Sequence, residues 1–398
     1  MGLMNFIEGD FVDSSSLEEL NKDLLNNLVY LKKLDSREYI LHLKYNELKD
    51  TYHNTKGYKI SSYPKMLMSY DDVKQFMSCT TNKVELVYCS TKELLDIWTM
   101  GRKFVSSMPW KQNPGRNLKF LLMINDKIAG FMSLGSEVIA ISCRDKYIGW
   151  DADTKLKTKK TLNNSAIATT IVPTQPFGYM TTGGKLLCLM LYHTDFAKLW
   201  EQTYGDKLVG LTTTSLFGIN SQYCGFPKYW KVCGETNGEI HLYPYDEIYK
   251  RMMEWLKNNH ADELEDALKA TSKSGIATGP KARVMHKYLQ LSGFRDMWKE
   301  NTEYGSSDLK HRFKRGVFYA RYFDNTNDFL RGEITKEQLI ERTGLDFSRD
   351  SVDEIVSYWR RKWADKRWNK TKTSDKTSKL FMTLKNINNI NEFVRRYV

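Results

Sequence analysis

Apolar positions change period from segment to segment along the chain, and the changes mark its parts. Residues 13–34, DSSSLEELNKDLLNNLVYLKKL, carry Leu17, Leu20, Leu24, Leu28 and Leu31 at helical spacing. Ser16 and Glu19 form a capping-box pair ahead of them, so the segment predicts an amphipathic packing helix. VELVYC, from Val84, reads as a strand, and Ser90 with Glu93 predicts the cap of a helix running to about Val105. After a loop with Pro109, Pro114 and Gly115, NLKFLLMINDKIAGFMSLGS shows two apolar runs around Asn125-Asp126-Lys127, a hairpin pattern. SAIATTIVP is a further strand, broken at Pro173, and a helix is expected from about Thr182 to Gln202. DKLVGLTTTS is the next strand, and NSQYCGFPKYWKVCGETNG supplies a short helix or loop and a last strand.

The C-terminal third reads as mainly helical. DEIYKRMMEWLKNNHADELEDALK predicts one helix, and TSKSGIATGPKAR a flexible connector. DLKHRFKRGVFYARYF mixes basic and aromatic residues. A last helix opens at Ser351 and Glu354, and Ile355, Trp359 and Trp363 follow at i, i+4 and i+8. An aromatic stripe at that spacing is expected in a core contact ahead of a base-stacking platform. The fold expected is α/β of the α+β kind: a mixed sheet flanked by helices, then a mainly helical basic domain. The expected spans are 1–80, 81–245 and 246–398.

With 398 residues, 41% of them hydrophobic, the chain has the material for two or three cores. No apolar run reaches the roughly 18 residues of a membrane helix. The first residues, MGLMNFIEGDFV, lack the pattern of a signal peptide, so the expected location is cytoplasmic. Six scattered cysteines without a C-x-x-C pair, and seven histidines without H-x-x-x-H, give no expectation of a metal. The net charge of +12 is concentrated: from Trp359 to Val398 there are twelve Lys/Arg against three Asp/Glu. Arg360, Arg361, Lys362, Lys366 and Arg367 surround the aromatic stripe. This C-terminal charge points to a polyanion partner, a nucleic acid, with DNA ahead of RNA and a membrane surface as the weaker alternative. Lys155, Lys157, Lys159 and Lys160, in TKLKTKK (Thr154 to Lys160), are expected in a solvated loop, or as phosphate-backbone contacts if nucleic acid is the substrate.

The stretch TTIVPTQPFGYMTTGGKLLCLMLY, Thr169 to Tyr192, reads as strand, glycine-threonine loop and helix, the arrangement that holds phosphates. It misses the ATP-loop pattern by one residue, since Gly184 stands where lysine is needed and Leu186 where the hydroxyl is needed. Another phosphate-bearing ligand and a plain tight turn both remain open.

The element order over residues 84–243 resembles the GNAT acyltransferase fold. That family binds the coenzyme A pyrophosphate through R/Q-x-x-G-x-G/A. Gln175 and Gly178 match its first half, while Met180 replaces the second glycine and Gly183 and Gly184 follow later. The resemblance implies a site for acetyl-coenzyme A or another pyrophosphate-bearing acyl donor at Gln175, Gly178, Thr181, Thr182, Gly183, Gly184 and Lys185. It also implies a strand splay to receive the cofactor arm. Asn220 and Tyr223 lie where the family places its Asn and Tyr, and Tyr223 is the expected donor to a leaving thiolate. Asp145 or Asp151 is the candidate base, with an ion pair to Arg144 as the structural alternative for Asp145. Trp150 is expected to pack in a core.

A second resemblance rests on RDKYIGWD (Arg144–Asp151), Asn163-Asn164, Tyr204-Gly205, TTTSLFGINSQY and WKVCGETNG, over about residues 115–240. These are similar to the DruA-like proteins of Druantia anti-phage systems and their phage relatives, which implies a defence or DNA-parasite setting. The combined expectation is transfer of a small group to nucleic acid or a nucleic-acid-bound target, as in phage Mom-type DNA-modifying proteins. Two alternatives stand beside it: a non-catalytic DNA- or RNA-binding component of a defence or counter-defence system, and an interaction protein docking its basic tail on an acidic partner.

Overall fold

The computed structural model describes residues 17–54, 65–110, 115–157, 161–216, 218–219, 221–269, 280–305 and 308–373. Its centre is a seven-stranded mixed sheet. The strands are β1 (Val84–Tyr88), β2 (Asn117–Ile124), β3 (Lys127–Ser136), β4 (Ser165–Pro173), β5 (Gly210–Ser215), β6 (Lys231–His241) and β7 (Lys310–Arg321), in the order β1-β2-β3-β4-β5-β7-β6. β1–β2, β2–β3, β3–β4 and β5–β7 are antiparallel, and β4–β5 is parallel. The β2–β3 hairpin turns on Asn125 (φ 47°) and Asp126 (φ 62°). Positive φ at both central residues matches the right-handed twist of the strands, and Asn and Asp tolerate it best after glycine.

A parallel pair needs a crossover, here formed by the helices Phe177–Thr181, Gly183–Met190 and Thr194–Tyr204. Leu186, Leu187, Leu189 and Met190 are completely buried, so the middle helix lies in the core apart from the half-buried Lys185. It comes so close to β3 that a Cβ on Gly130 would lie 2.6 Å from Leu187 Cδ2. The helix Lys92–Val105 packs through a second cluster, in which Trp98 contacts Phe131 and donates to the Phe120 and Met132 carbonyls at 3.1 Å.

The chain divides into two compact units: residues 1–39 with 238–313, and residues 40–237 with 314–398. In the first, Leu20, Leu24, Leu28 and Leu31 of the helix Leu17–Lys33 are buried, as their spacing predicts. Helices Asp246–Asn259, Ala261–Lys269, Pro280–Leu291 and Phe294–Asn301 belong to the same unit. Buried Asn21 accepts from Tyr288 Oη at 2.9 Å and donates to Ser292 O at 3.0 Å. The second unit holds the sheet, apart from the end of β6 and the start of β7.

Several expectations are corrected. The two units do not follow the spans 1–80, 81–245 and 246–398, because distant pieces of chain assemble into each. DLKHRFKRGVFYARYF forms β7, between β5 and β6, where a mainly helical region was expected. Val317–Ala320 are buried on both faces of this inner strand, which removes the alternation that marks a half-exposed one. The helix over 246–269 breaks at His260. The helix Lys92–Val105 is capped by Thr91 rather than Ser90. Residues 152–157, expected in a loop, are helical. Most of the expected connector TSKSGIATGPKAR lies outside the described residues, and its Pro280 opens a helix at the first position, where proline's fixed φ fits. No described helix is long and apolar enough to cross a membrane.

Candidate functional site

The expected phosphate loop is helical. Phe177–Thr181 forms one helix, Thr182 breaks it at φ 57° and ψ 42°, and Gly183–Met190 continues. Three glycines that read as a loop are explained by close packing. An added Cβ would lie 2.7 Å from Pro173 at Gly178, 2.5 Å from the Phe177 ring at Gly183 and 2.0 Å from Gln222 Oε1 at Gly184. The Thr182 N–H donates to Gly178 O and the Lys185 N–H to Thr182 O, so these two groups serve the local backbone. Gln175 Oε1 accepts from Tyr179 N. Thr181 is buried, and its hydroxyl returns to Phe177 O. Lys185 Nζ donates to the Gln222 and Cys224 carbonyls and lies 4.4 Å from the Phe226 ring centroid. Burial holds its pKa below the usual lysine range.

The C-terminal helix explains why this segment is closed. Trp359 Nε1 donates to Thr182 O at 3.2 Å, Arg367 Nε to Tyr179 O at 2.9 Å and Thr371 Oγ1 to Met180 O at 3.1 Å. The carbonyls at the end of Phe177–Thr181, which lack partners in their own helix, are thus satisfied from outside it. Arg360 does the same for the helix Tyr70–Ser78, donating to the Phe76, Met77 and Cys79 carbonyls at 3.4, 2.7 and 3.3 Å. Trp359 is fully buried against Phe76 and Phe177, and Trp363 packs against Phe226 and Tyr358. The aromatic stripe is therefore a core contact.

The strands beside the segment part as a splay requires. β4 and β5 pair only at Ser165–Ile167 with Gly210–Thr212, although both continue. Side chains bridge the gap: Thr213 Oγ1 donates to Ala168 O and Gln222 Nε2 to Ile171 O, both at 2.9 Å. Tyr223 is buried against Phe318 and Trp230, and its hydroxyl accepts from Gln222 Nε2 at 3.2 Å. Burial raises the pKa of that hydroxyl, which keeps its proton. Asn220 lies outside the described residues.

Asp145 belongs to a different assembly. Its Oδ1 accepts from Arg144 Nε and Nη2 at 2.9 and 2.5 Å, and its Oδ2 from Lys155 Nζ at 2.5 Å and Ile141 N at 3.1 Å. Four donors leave it an ion-pair partner, the alternative left open by the sequence. Glu137, missed by sequence reasoning, completes the network. Its Oε1 accepts from Arg144 Nη1 at 2.7 Å, and its Oε2 from Ser165 Oγ at 2.9 Å and Thr212 Oγ1 at 2.6 Å. This joins the start of the β4–β5 pair to RDKYIGWD. A lone acid closing an apolar strand, seven residues before an arginine, was the available signal. Asp151 caps the next helix by accepting from Thr154 N, and those hydrogen bonds hold its pKa below the usual carboxylate range. Trp150 is buried and donates to Leu330 O. Asn164 Nδ2 donates to Lys207 O, and Tyr204 Oη accepts from Asn117 N.

The basic candidates thus divide. Arg360, Arg367, Lys155 and Lys185 hold the fold together. Arg361, Lys362 and Lys366 are exposed, as are Lys370 and Lys157, while Lys159 and Lys160 lie outside the described residues. Arg361, Lys362, Lys366 and Lys370 form a cationic ridge on a helix whose other side is anchored in the core. No curated protein and no solved structure matches the chain. The family model of Druantia protein DruA matches residues 34–332, most of the chain, and the chain belongs to that family.

Proposed function

We propose that this protein is a nucleic-acid-binding component of an anti-phage defence system, and that its binding face is the ridge of Arg361, Lys362, Lys366 and Lys370. The observation that supports the reading is the division of the C-terminal cations. Arg360, Arg367 and Trp359 fix the helix by bonds to neutral carbonyls, while the remaining cations stay exposed on a rigid support. Cations held on a rigid element, at the spacing of a helix face, suit phosphates along a duplex. The membership in the DruA family supplies the defence setting. The ridge lies beyond the matched residues, so its role rests on geometry and charge.

The expected result is a more than tenfold loss of affinity for a roughly 30-bp duplex when Arg361, Lys362 and Lys366 are all changed to Glu, because charge–phosphate contacts dominate such binding. Fluorescence anisotropy at low salt measures it, with a melting curve showing that the variant is folded. Equal affinity would remove the ridge from the function.

A second reading, group transfer by a GNAT-like core, is favoured by one observation: the parallel pair β4–β5 parts after three residue pairs. In that reading Gln222 and Tyr223 must leave the gap before an acyl-carrying cofactor enters. Acetyl-coenzyme A at 100 times its dissociation constant is then expected to stabilise the protein by about 2.7 kcal/mol, and Gln222→Ala to tighten its binding. Absence of a melting shift in both proteins at millimolar acetyl-coenzyme A would leave transfer without support.

A further inference from the structure

One end of the sheet gathers side chains that the assignments above leave unused. The end of β3, the starts of β4 and β5 and the end of β7 meet there, since Ser136 pairs with Ala166, Ser165 with Gly210 and Gly210 with Arg321. The helix Ser142–Ile148 is tied to the same end by the Arg144–Glu137 pair, and its Tyr147 ring packs on that of Tyr319 in β7, with centroids 5.9 Å apart. Arg321 follows Tyr319 by two residues and so faces the same side of β7. The chain later returns against this strand through the bridge of Phe323 with Glu341, which places Arg342 beside the end of β7. All of these residues belong to the second unit.

Tyr147, Arg321 and Arg342 are half-buried, and their donors are unevenly used. Arg342 Nη2 donates to the Lys228 carbonyl at 2.6 Å, while its Nε and Nη1 are buried and have no hydrogen-bond partner. Arg321 Nη1 donates to the Asp324 carbonyl at 3.2 Å. The Tyr147 hydroxyl lies within electrostatic reach of both guanidiniums. Burial raises its pKa and the two cations oppose the rise, so at neutral pH it keeps its proton as a donor. The described carboxylates nearby have work of their own. Asp324, which feels both guanidiniums, accepts from the Thr343 N–H and hydroxyl at 3.1 and 2.6 Å. Glu341 and Asp346 pair with Arg349 and Lys228 at 3.6 and 2.8 Å. A buried N–H without a partner costs free energy, and in a folded protein it needs an explanation such as an ion.

We propose that Arg342, Arg321 and the Tyr147 hydroxyl form a binding site for a phosphate group at this end of the sheet, built from residues other than those of the C-terminal ridge. Arg342 supplies the buried donors, Arg321 a second guanidinium and Tyr147 a neutral donor. A phosphate carries several acceptor oxygens and takes charge-assisted hydrogen bonds from such a set together. The phosphate belongs to either a free nucleotide or a nucleic-acid strand, and the same site chemistry serves both.

The test uses the full-length protein and inorganic pyrophosphate as probe, at low ionic strength, read by titration calorimetry and by melting temperature. Arg342→Gln is expected to weaken binding by more than about tenfold, because it removes charge-assisted donors. Tyr147→Phe keeps the ring against Tyr319 and is expected to weaken binding by roughly tenfold, the effect of one hydrogen bond to a charged group. If Arg342→Gln fails to fold, Arg321→Gln and Tyr147→Phe carry the test. The triple ridge variant is expected to bind pyrophosphate like wild type, which separates this site from the proposed function. Displacement of pyrophosphate by ATP alone identifies a nucleotide site, and displacement by a short single-stranded oligonucleotide identifies a strand. No pyrophosphate binding by wild type, or wild-type affinity in the folded variants, overturns the proposal.

Discussion

Trp359→Ala is expected to destabilise the protein by about 3–5 kcal/mol, the range for emptying a buried aromatic site. The indole is fully buried between Phe76 and Phe177, so its loss opens a cavity where three elements meet. It also removes one of the two donors to the Thr182 carbonyl, which keeps only the Lys185 N–H, at a threonine already in the left-handed region. Trp359→Phe retains most of the ring and removes the N–H, so a smaller loss of about 0.5–1.5 kcal/mol is expected. Urea unfolding of the three proteins measures both. A loss below about 1 kcal/mol for the alanine variant, within the ordinary effect of a surface change, would mean that the C-terminal helix is not anchored through this residue. The ridge would then lack its support.

The second large effect concerns Arg144. Its side chain is fully buried between Glu137 and Asp145, whose side chains are 0% and 9% exposed. Arg144→Met removes the cation and leaves two buried carboxylates, a change expected to cost about 3–5 kcal/mol. The loss is expected to shrink when Glu137→Gln is added, because the second change removes a carboxylate that has lost its counter-charge. Urea unfolding of wild type, the single variant and the double variant measures it. An equal loss in both variants would show that the network acts through packing rather than charge.

Local signals in the chain were enough for much of the sheet. Asn125-Asp126 announced the β2–β3 hairpin because turn conformation is set by two residues. β7 was not legible, since its character comes from β5 and β6 on either side, more than a hundred and about seventy residues away. Thr174–Lys185 read as a loop because proline, threonine and glycine favour turns locally. Packing of Phe177, Gln222 and Trp359 overrode that preference and made each glycine a point of close approach. The adjacency of Arg144 and Asp145 suggested an ion pair, but Glu137 enters it only through the fold. The C-terminal charge was visible as composition. Which cations remain exposed was not, because Arg360 and Arg367 are taken by carbonyls of helices far earlier in the chain.

These assignments bear on function together. Asp145 and Tyr223, expected to work in one site, serve two separate structural assemblies, so the binding reading leads. Its most direct test is the salt dependence of duplex DNA affinity, measured for wild type and for the Arg361, Lys362 and Lys366 triple variant. A linear fall of log affinity with log salt is expected for wild type, and a slope shallower by up to about 0.9 for each lost phosphate contact in the variant. Identical slopes, or no wild-type binding at low salt, would contradict it.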